Sequence, residues 1–228
     1  MTTKVVENTK LSLLEVDDSP RVTLDGKRHY DSRYGIFPSI TTVLSCRNTG
    51  WVERWKANVG EEKAAKVSKK AASIGTGLHE LCEKHLLNED ISKELMRSLP
   101  EIKIRFTNFK SFLDDISEVY LLEAPLASSY LKVAGTVDCF GVYKGKPYVI
   151  DFKTSSKVKQ PEDIKGYFAQ ATFYAYAIAE MYNLAVPDIL IAFSVNGVKE
   201  PLIYTSKPKD HLHYLIESIN MYKRGEHD

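Results

Sequence analysis

The sequence is poor in cysteine. Cys46, Cys82 and Cys139 are odd in number, far apart and free of any Cys-x-x-Cys pair. That spacing argues against a disulfide framework, a zinc knuckle and an iron-sulfur cluster, and fits a reducing compartment. An excess of one charge is also missing: 31 basic residues face 30 acidic ones, so a net charge of +1 makes no global case for a nucleic acid or an anionic membrane. Long apolar runs are absent too. Met1 to Lys10 has no hydrophobic leader segment, and the most apolar later stretch, Leu184 to Val195, is broken by Pro187 and Asp188. The expectation is an unexported, cytoplasmic protein with no membrane partner. No internal repeat, low-complexity tract or Pro/Gly/Ser linker divides the chain. There is no Gly-x-x-x-x-Gly-Lys and no Ser-His-Asp arrangement, which sets aside nucleoside triphosphatase and acyl-transfer chemistry.

What is present, at 43% apolar residues, suffices for a core. Asp25-Gly26 between β-prone runs predicts a hairpin over Arg21 to Asp31, and Ser39 caps a short helix through Leu44. Gly50 to about Asn88 is helical, with Ser73-Ile-Gly-Thr-Gly77 expected to split it into two helices. A further helix is predicted from Pro100 to Ile116, with Phe106, Phe109, Phe112, Leu113 and Ile116 as its buried stripe. The period then changes to two: strands are expected at Val119 to Ala124, Lys132 to Tyr143 and Pro147 to Lys153. A long helix from about Glu162 to Asn183 follows, then a strand Ile189 to Val195, an Asn196-Gly197 hairpin turn, a strand Leu202 to Thr205, and a last helix stopping near Gly225. This order implies an α/β or α+β core with a helical lobe from the first half. The reading is one domain over 1–228, with the lobe at about 39–117 and the sheet with its flanking helices at about 118–228.

The chemistry concentrates in Gly135-Thr-Val-Asp138 and Val149-Ile-Asp151-Phe-Lys153-Thr154. In a strand, residues two apart share a face, so Asp151 and Lys153 emerge side by side. If Lys144-Gly145 is a two-residue turn, Tyr143 faces Lys146, and five residues further along each strand Asp138 faces Asp151. A four-residue loop keeps that register; a three-residue loop slips it by one and turns Asp138 to the other face unless a bulge restores it. Cross-strand Cβ atoms lie roughly 4.5–5.5 Å apart, close enough for both carboxylates to reach one hard cation. Alone, Asp-x-Lys is more often a solvated strand edge. The apolar flanks (Tyr148, Val149 and Ile150 before Asp151, Val137 and Cys139 around Asp138) instead mark central strands. Two carboxylates with a lysine suit metal-assisted phosphodiester hydrolysis.

Asp138 followed by Asp151-Phe152-Lys153 resembles the Asp…(Asp/Glu)-x-Lys core of the PD-(D/E)XK nuclease superfamily. Gly75-Thr-Gly-Leu-His79-Glu80 and Gln170-Ala-Thr-Phe-Tyr174 resemble the Gly-x-x-x-His and Gln-x-x-x-Tyr motifs of its RecB-like branch. Phe37-Pro-Ser-Ile-Thr-Thr-Val-Leu44, the Trp51 to Trp55 helix start and Asp151-Phe-Lys-Thr-Ser-Ser156 are similar to the exonucleases of phages and of mitochondrial genome maintenance. The match runs in motif order from Phe37 to Tyr174. The resemblance implies a restriction-endonuclease-like α/β core, its central mixed sheet flanked by helices and joined by an N-terminal helical lobe. It implies Mg²⁺ or Mn²⁺ held by His79, Asp138, Asp151 and the Phe152 carbonyl, with Asp138, Asp151 and Lys153 as catalytic residues. Relatives with four cysteines hold an iron-sulfur cluster; this chain departs from them and is placed with the cluster-free exonucleases.

The expected activity is metal-dependent exonucleolytic cleavage of DNA, on single strands with free ends, in the cytoplasm of a cell or of a phage's host. The alternatives are a structure-specific endonuclease on the same core or a nucleic-acid binding module without catalysis. Gln170 and Tyr174 share a helix face and would position the strand, while Thr154, Ser155 and Ser156 would bond phosphate. Glu80 and Glu83 read equally as a nearby carboxylate supply or a solvated face, and His85 as structural. Six basic against three acidic residues from Trp51 to Lys70, and five lysines against Asp151 alone from Lys144 to Lys159, are expected to flank the site. Trp51, Trp55 and Tyr167 are possible stacking surfaces, although anchoring helix packing is the commoner use of such tryptophans.

Overall fold

The computed structural model describes residues 9–227, so most of the Met1 to Lys10 segment, and with it the reading of a missing leader, lies outside the described residues. A mixed six-stranded sheet has the order β1 (Lys10–Leu11), β5 (Ile116–Ser128), β6 (Val133–Tyr143), β7 (Lys146–Ser155), β8 (Ile189–Val195) and β9 (Leu202–Ser206). β1 runs parallel to β5 and β7 parallel to β8; the other neighbours are antiparallel. The parallel pair β7 and β8 needs a crossover, which α6 (Lys165–Tyr182) supplies. A separate small sheet, β2 (Arg21–Leu24), β3 (Lys27–Ser32) and β4 (Gly35–Pro38), contains the expected Asp25-Gly26 hairpin and a third strand that the sequence reading lacks.

Alternation along the strands divides the core between two faces of the main sheet. Ile150 and Phe152 of β7 pack with Leu78, Leu81, Phe106 and Phe109 from α3 (Glu61–Leu86) and α5 (Pro100–Asp114). Val149 of β7 and Phe140 of β6 pack on the other side with Phe173 of α6, Ile219 of α7 (Pro208–Arg224) and Ile40 of α1 (Ile40–Leu44). Ser39 caps α1 as its sequence implies, its hydroxyl accepting the Thr42 N–H at 3.0 Å.

The helical stretch after Gly50 does divide in two, at a different place from the one expected. α2 (Thr49–Val59) ends at Gly60, whose φ of 84° and ψ of 144° are outside the helical region, and α3 then runs unbroken through Ser73–Gly77. Gly77 serves close approach: a Cβ there would lie 2.5 Å from Ile102 Cδ1 of α5, whereas one on Gly75 would make an ordinary contact at 3.8 Å with Thr154 Oγ1 of β7. α5 stops at Asp114, so Ile116 of the expected stripe belongs to β5 instead, and a short α4 (Ser92–Arg97) intervenes between α3 and α5. Asn196-Gly197 begins a longer connection over 196–201 rather than forming a two-residue turn.

The turn between β6 and β7 has positive φ at both central residues, 48° at Lys144 and 78° at Gly145, the signature of a type I′ hairpin. Its pairs run from Tyr143↔Lys146 to Cys139↔Ile150, the register that sets Asp138 opposite Asp151.

On the other side of β6, two irregularities in β5, between Ile116 and Glu118 and between Val119 and Leu121, press the chain onto Gly141. A Cβ there would lie 2.5 Å from the Glu118 carbonyl oxygen, a backbone atom that cannot rotate away. Gly141→Ala should therefore lower stability by about 1–3 kcal/mol, the range for overpacking a filled core, seen as a reduced urea midpoint. An unchanged midpoint would show that β5 can shift there freely.

Candidate active site

Asp138 is 6% exposed and Asp151 fully buried. Beyond Cys139↔Ile150 the β6–β7 ladder gives way to a side-chain bond: Asp138 Oδ2 accepts the Phe152 N–H at 2.8 Å. Lys153 Nζ donates to Asp151 Oδ2 at 2.5 Å in an ion pair, and Asp151 Oδ1 has no donor among the described residues. Burial raises the Asp151 pKa; Lys153 opposes the shift and Asp138 reinforces it, leaving the value at about 6. Burial alone would lower the Lys153 pKa, but the charges of Asp151 and Asp138 outweigh it and raise the pKa. The ammonium also sits 5.4 Å from the centroid of the Tyr167 ring.

His79 reaches the same place from α3. Its Nε2–H donates to the Phe152 carbonyl at 2.8 Å, and Nδ1 lies 3.4 Å from Glu123 Oε1 and 3.7 Å from Asp138 Oδ1. Burial pushes the imidazole pKa down, but Asp138 and Glu123 together push it further up, to about 9. The expected set of His79, Asp138, Asp151, Lys153 and the Phe152 carbonyl thus gathers around one residue of β7.

Glu123 was missed by the sequence reading. Leu122↔Cys139 and Ala124↔Val137 place it opposite Asp138 in β5, where its φ of 44° breaks the regular strand. Three carboxylates therefore stand side by side on three neighbouring strands. Ligand atoms of His79, Glu123 and Asp138 lie within 4.8 Å of one another. No motif marks Glu123; the available signal was a single carboxylate inside the apolar run Tyr120 to Leu126. Glu80 and Glu83 line the cleft above, and burial followed by the charge of Glu123 raises the Glu83 pKa. Carboxylate, imidazole and carbonyl donors, with a buried carboxylate whose Oδ1 has no donor among the described residues, fit a hard divalent cation.

His79, Glu123, Asp138 and Lys153 line a cleft of about 540 Å³ that Gln170 and Tyr174 of α6 also face, with Asp151 buried behind it. Gln170 Nε2 donates to Tyr174 Oη at 3.1 Å. Tyr174 packs against Gly135, where a Cβ would come within 2.9 Å of its ring, and burial raises its pKa well above the usual phenol value. The three hydroxyl residues after Lys153 are not brought into the cleft. Thr154 lies under Gly75 on the α3 side of β7. The Ser155 hydroxyl is used within its own turn, donating to the Lys157 carbonyl at 2.5 Å, and Ser156 is exposed outside the cleft. His85 pairs with Asp114 at 2.8 Å, away from the cleft.

The basic patches separate. Lys144 pairs with Asp115 at the hairpin tip, about 20 Å of strand from Asp138. Lys157, Lys159 and Lys165 instead line a second groove of about 950 Å³ that meets the first at Gln170 and Thr41. Trp51 borders that groove and does not anchor packing: it is 62% exposed and stacks on Trp55 at 6.1 Å between ring centroids, on a helix that buries no residue.

His79 generates a pH prediction. Its folded pKa is raised from 6.5 to about 9, so its contribution to stability is complete below about pH 6.5 and lost as pH rises through 9. Metal ligation needs the neutral imidazole, so binding releases this proton in the same window. Calorimetric Mn²⁺ titrations at pH 7.5, in buffers of different ionisation heat, should show close to one proton released by the wild type and much less by His79→Gln. Equal release by both would assign the proton to another group.

No family model matches the sequence. Among curated proteins the chain is 31% identical over 147 residues to human mitochondrial genome maintenance exonuclease 1, covering 60% of this chain and 40% of that protein. The Xenopus tropicalis protein of the same name gives 31% over 148 residues, with 61% and 41% covered. The chain thus spans about two fifths of the length of these relatives. A solved structure of a provisionally named exonuclease from Eubacterium rectale is also similar, with 13% identity, 69% of each chain covered and a TM-score of 0.46. The resemblance carried by four short motifs is therefore matched by sequence similarity to named exonucleases over more than half of the chain.

Proposed function

We propose that this chain is one nuclease domain that hydrolyses phosphodiester bonds of single-stranded DNA from free ends, with Mg²⁺ or Mn²⁺ as cofactor. The observation that carries the proposal is the convergence of ligand atoms of His79, Glu123 and Asp138 within 4.8 Å of one another in an open cleft, with the buried Asp151–Lys153 pair beside them. His79, Asp138, Asp151 and the Phe152 carbonyl would hold the ion, with Glu123 adjacent. When bound, such an ion polarises the scissile phosphate and acidifies a coordinated water.

The chain's own groups supply the rest. With its pKa raised, Lys153 carries its proton at neutral pH, so it orients the attacking water and steadies negative charge rather than removing a proton. Tyr174 keeps its phenolic proton and, held by Gln170, offers the strand a directed hydroxyl. No described helix is long and apolar enough to cross a membrane. We propose the cytoplasm, a reducing compartment, as the place of action.

End-labelled linear and circular DNA, each single and double stranded, incubated with Mg²⁺ and with chelator, tests this reading. Linear single strands should be shortened, circles spared, and chelator should stop the reaction; cleavage of circles would make the enzyme an endonuclease. Asp151→Asn and Lys153→Ala should each lower turnover by ~10²–10⁴-fold, the range for a positioned acid–base or charge-stabilising group, with circular dichroism unchanged. In Lys153→Ala, Asp151 can shed its charge by taking up a proton. Normal turnover in either variant removes the mechanism.

A further inference from the structure

The cleft has a second wall, built by residues that precede the stretch carrying the family resemblance. The small sheet lies over β6, with Tyr30 and Phe37 packed on Ala127 and Ala134. Tyr30, only 2% exposed, bonds Thr136 Oγ1 at 2.9 Å and receives Arg21 Nε–H at 3.1 Å, while Arg21 Nη2 donates to the same Thr136 oxygen at 3.0 Å. A buried tyrosine and a strand hydroxyl thus fix an exposed guanidinium in direction. Thr136 lies two residues before Asp138, about 6.5 Å along β6 and on the same strand face. Arg28 is held through its backbone, its carbonyl accepting Ser39 N–H at 2.9 Å and Thr42 Oγ1–H at 3.2 Å, which leaves its side chain for the cleft. Among the described residues neither arginine pairs with a carboxylate.

We propose that Arg21 and Arg28 each bind one backbone phosphate near the scissile one, which makes the small sheet the strand-gripping wall of the cleft. The proposal rests on the nuclease reading and adds to it the site that holds the polymer. The cleft also presents Glu80, Glu83, Glu123 and Asp138, carboxylates that repel an anionic strand wherever the ion, Lys153 and His79 do not offset them. A planar guanidinium matches phosphate with two parallel bonds, and Arg21 is oriented for this about one nucleotide step from the carboxylates.

The test measures binding of a fluorescein-labelled single-stranded oligodeoxythymidine by anisotropy, in an Asp151→Asn background that prevents cleavage, across a salt series. Neutralising two phosphate contacts accounts for a slope of about 1.4 in log K against log[salt] for single strands. Arg21→Gln with Arg28→Gln should remove about that much slope and weaken binding at least tenfold at low salt, while Mn²⁺ affinity by calorimetry, measured with Asp151 in place, stays unchanged. Arg28→Gln alone, at a side chain the fold does not use, should remove about half of the slope, which keeps the test independent of any loosening around Arg21. Lys27→Gln removes the same charge one residue away, from an ammonium that sits over Tyr222 outside the cleft, and should leave the slope as it is. An unchanged slope in the double variant, or an equal loss in Lys27→Gln, overturns the proposal while DNA binding by the parent leaves the nuclease reading standing. A parent that binds Mn²⁺ but no oligonucleotide overturns both.

Discussion

The site depends on one hydrogen bond that takes the place of a ladder rung. Asp138 accepts the backbone N–H of Phe152, and by doing so orients its own carboxylate while leaving the Phe152 carbonyl free to meet His79. Regular antiparallel pairing would spend both backbone groups of such a residue on its neighbour strand. Here one goes to a carboxylate and the other to an imidazole, so a single residue of β7 ties strand, helix and acidic cluster together. The type I′ turn at Lys144-Gly145 controls this from the far end of the hairpin: a slip of one residue would carry Asp138 to the α3 face and break every contact of the set.

The electrostatics of the cluster work against the fold. Asp151 is fully buried, and burial favours its protonated form. Lys153 and His79 moderate this by bringing positive charge to the same place, and Glu123 adds a further negative one. Buried ion pairs of this kind contribute little net stability against the cost of desolvating both members. A protonated His79 among carboxylates performs part of the charge balancing that a divalent ion would take over, which is why metal affinity and proton release are linked in this site.

Much of this was legible in residue spacing. The turn dipeptide and the two-residue period located Asp138, Asp151 and Lys153 on one face because strand geometry leaves few alternatives once the register is chosen. Glycines were read less well. The Ser73–Gly77 segment looks like a helix break, yet it remains helical, with Gly77 where α5 approaches, whereas Gly60, unremarked in the sequence, carries the positive φ that ends α2. Local propensity does not distinguish a glycine required by a neighbour from one required by its own dihedrals. Glu123 was invisible for a related reason: its place beside Asp138 depends on irregular β5 pairing that alternation cannot foresee. Ser155 illustrates the reverse error, since a hydroxyl following a reactive lysine finds its partner in the next turn of chain.

α3 lies close enough to β7 for the His79 imidazole to reach the Phe152 carbonyl, and a Cβ at position 75 would make ordinary contact with Thr154. On the other face glycine is required, where Gly135 lets the Tyr174 ring descend to the strand beside Asp138. Two helices thus lie close on the sheet from opposite sides, and each delivers one polar group to the edge of the same cleft. Because β6 and β7 are covered on both faces by close-packed apolar side chains, the carboxylates have little freedom to move apart and relieve their repulsion. Rigidity that keeps like charges together is what makes this arrangement suited to holding a cation and, through it, a phosphate.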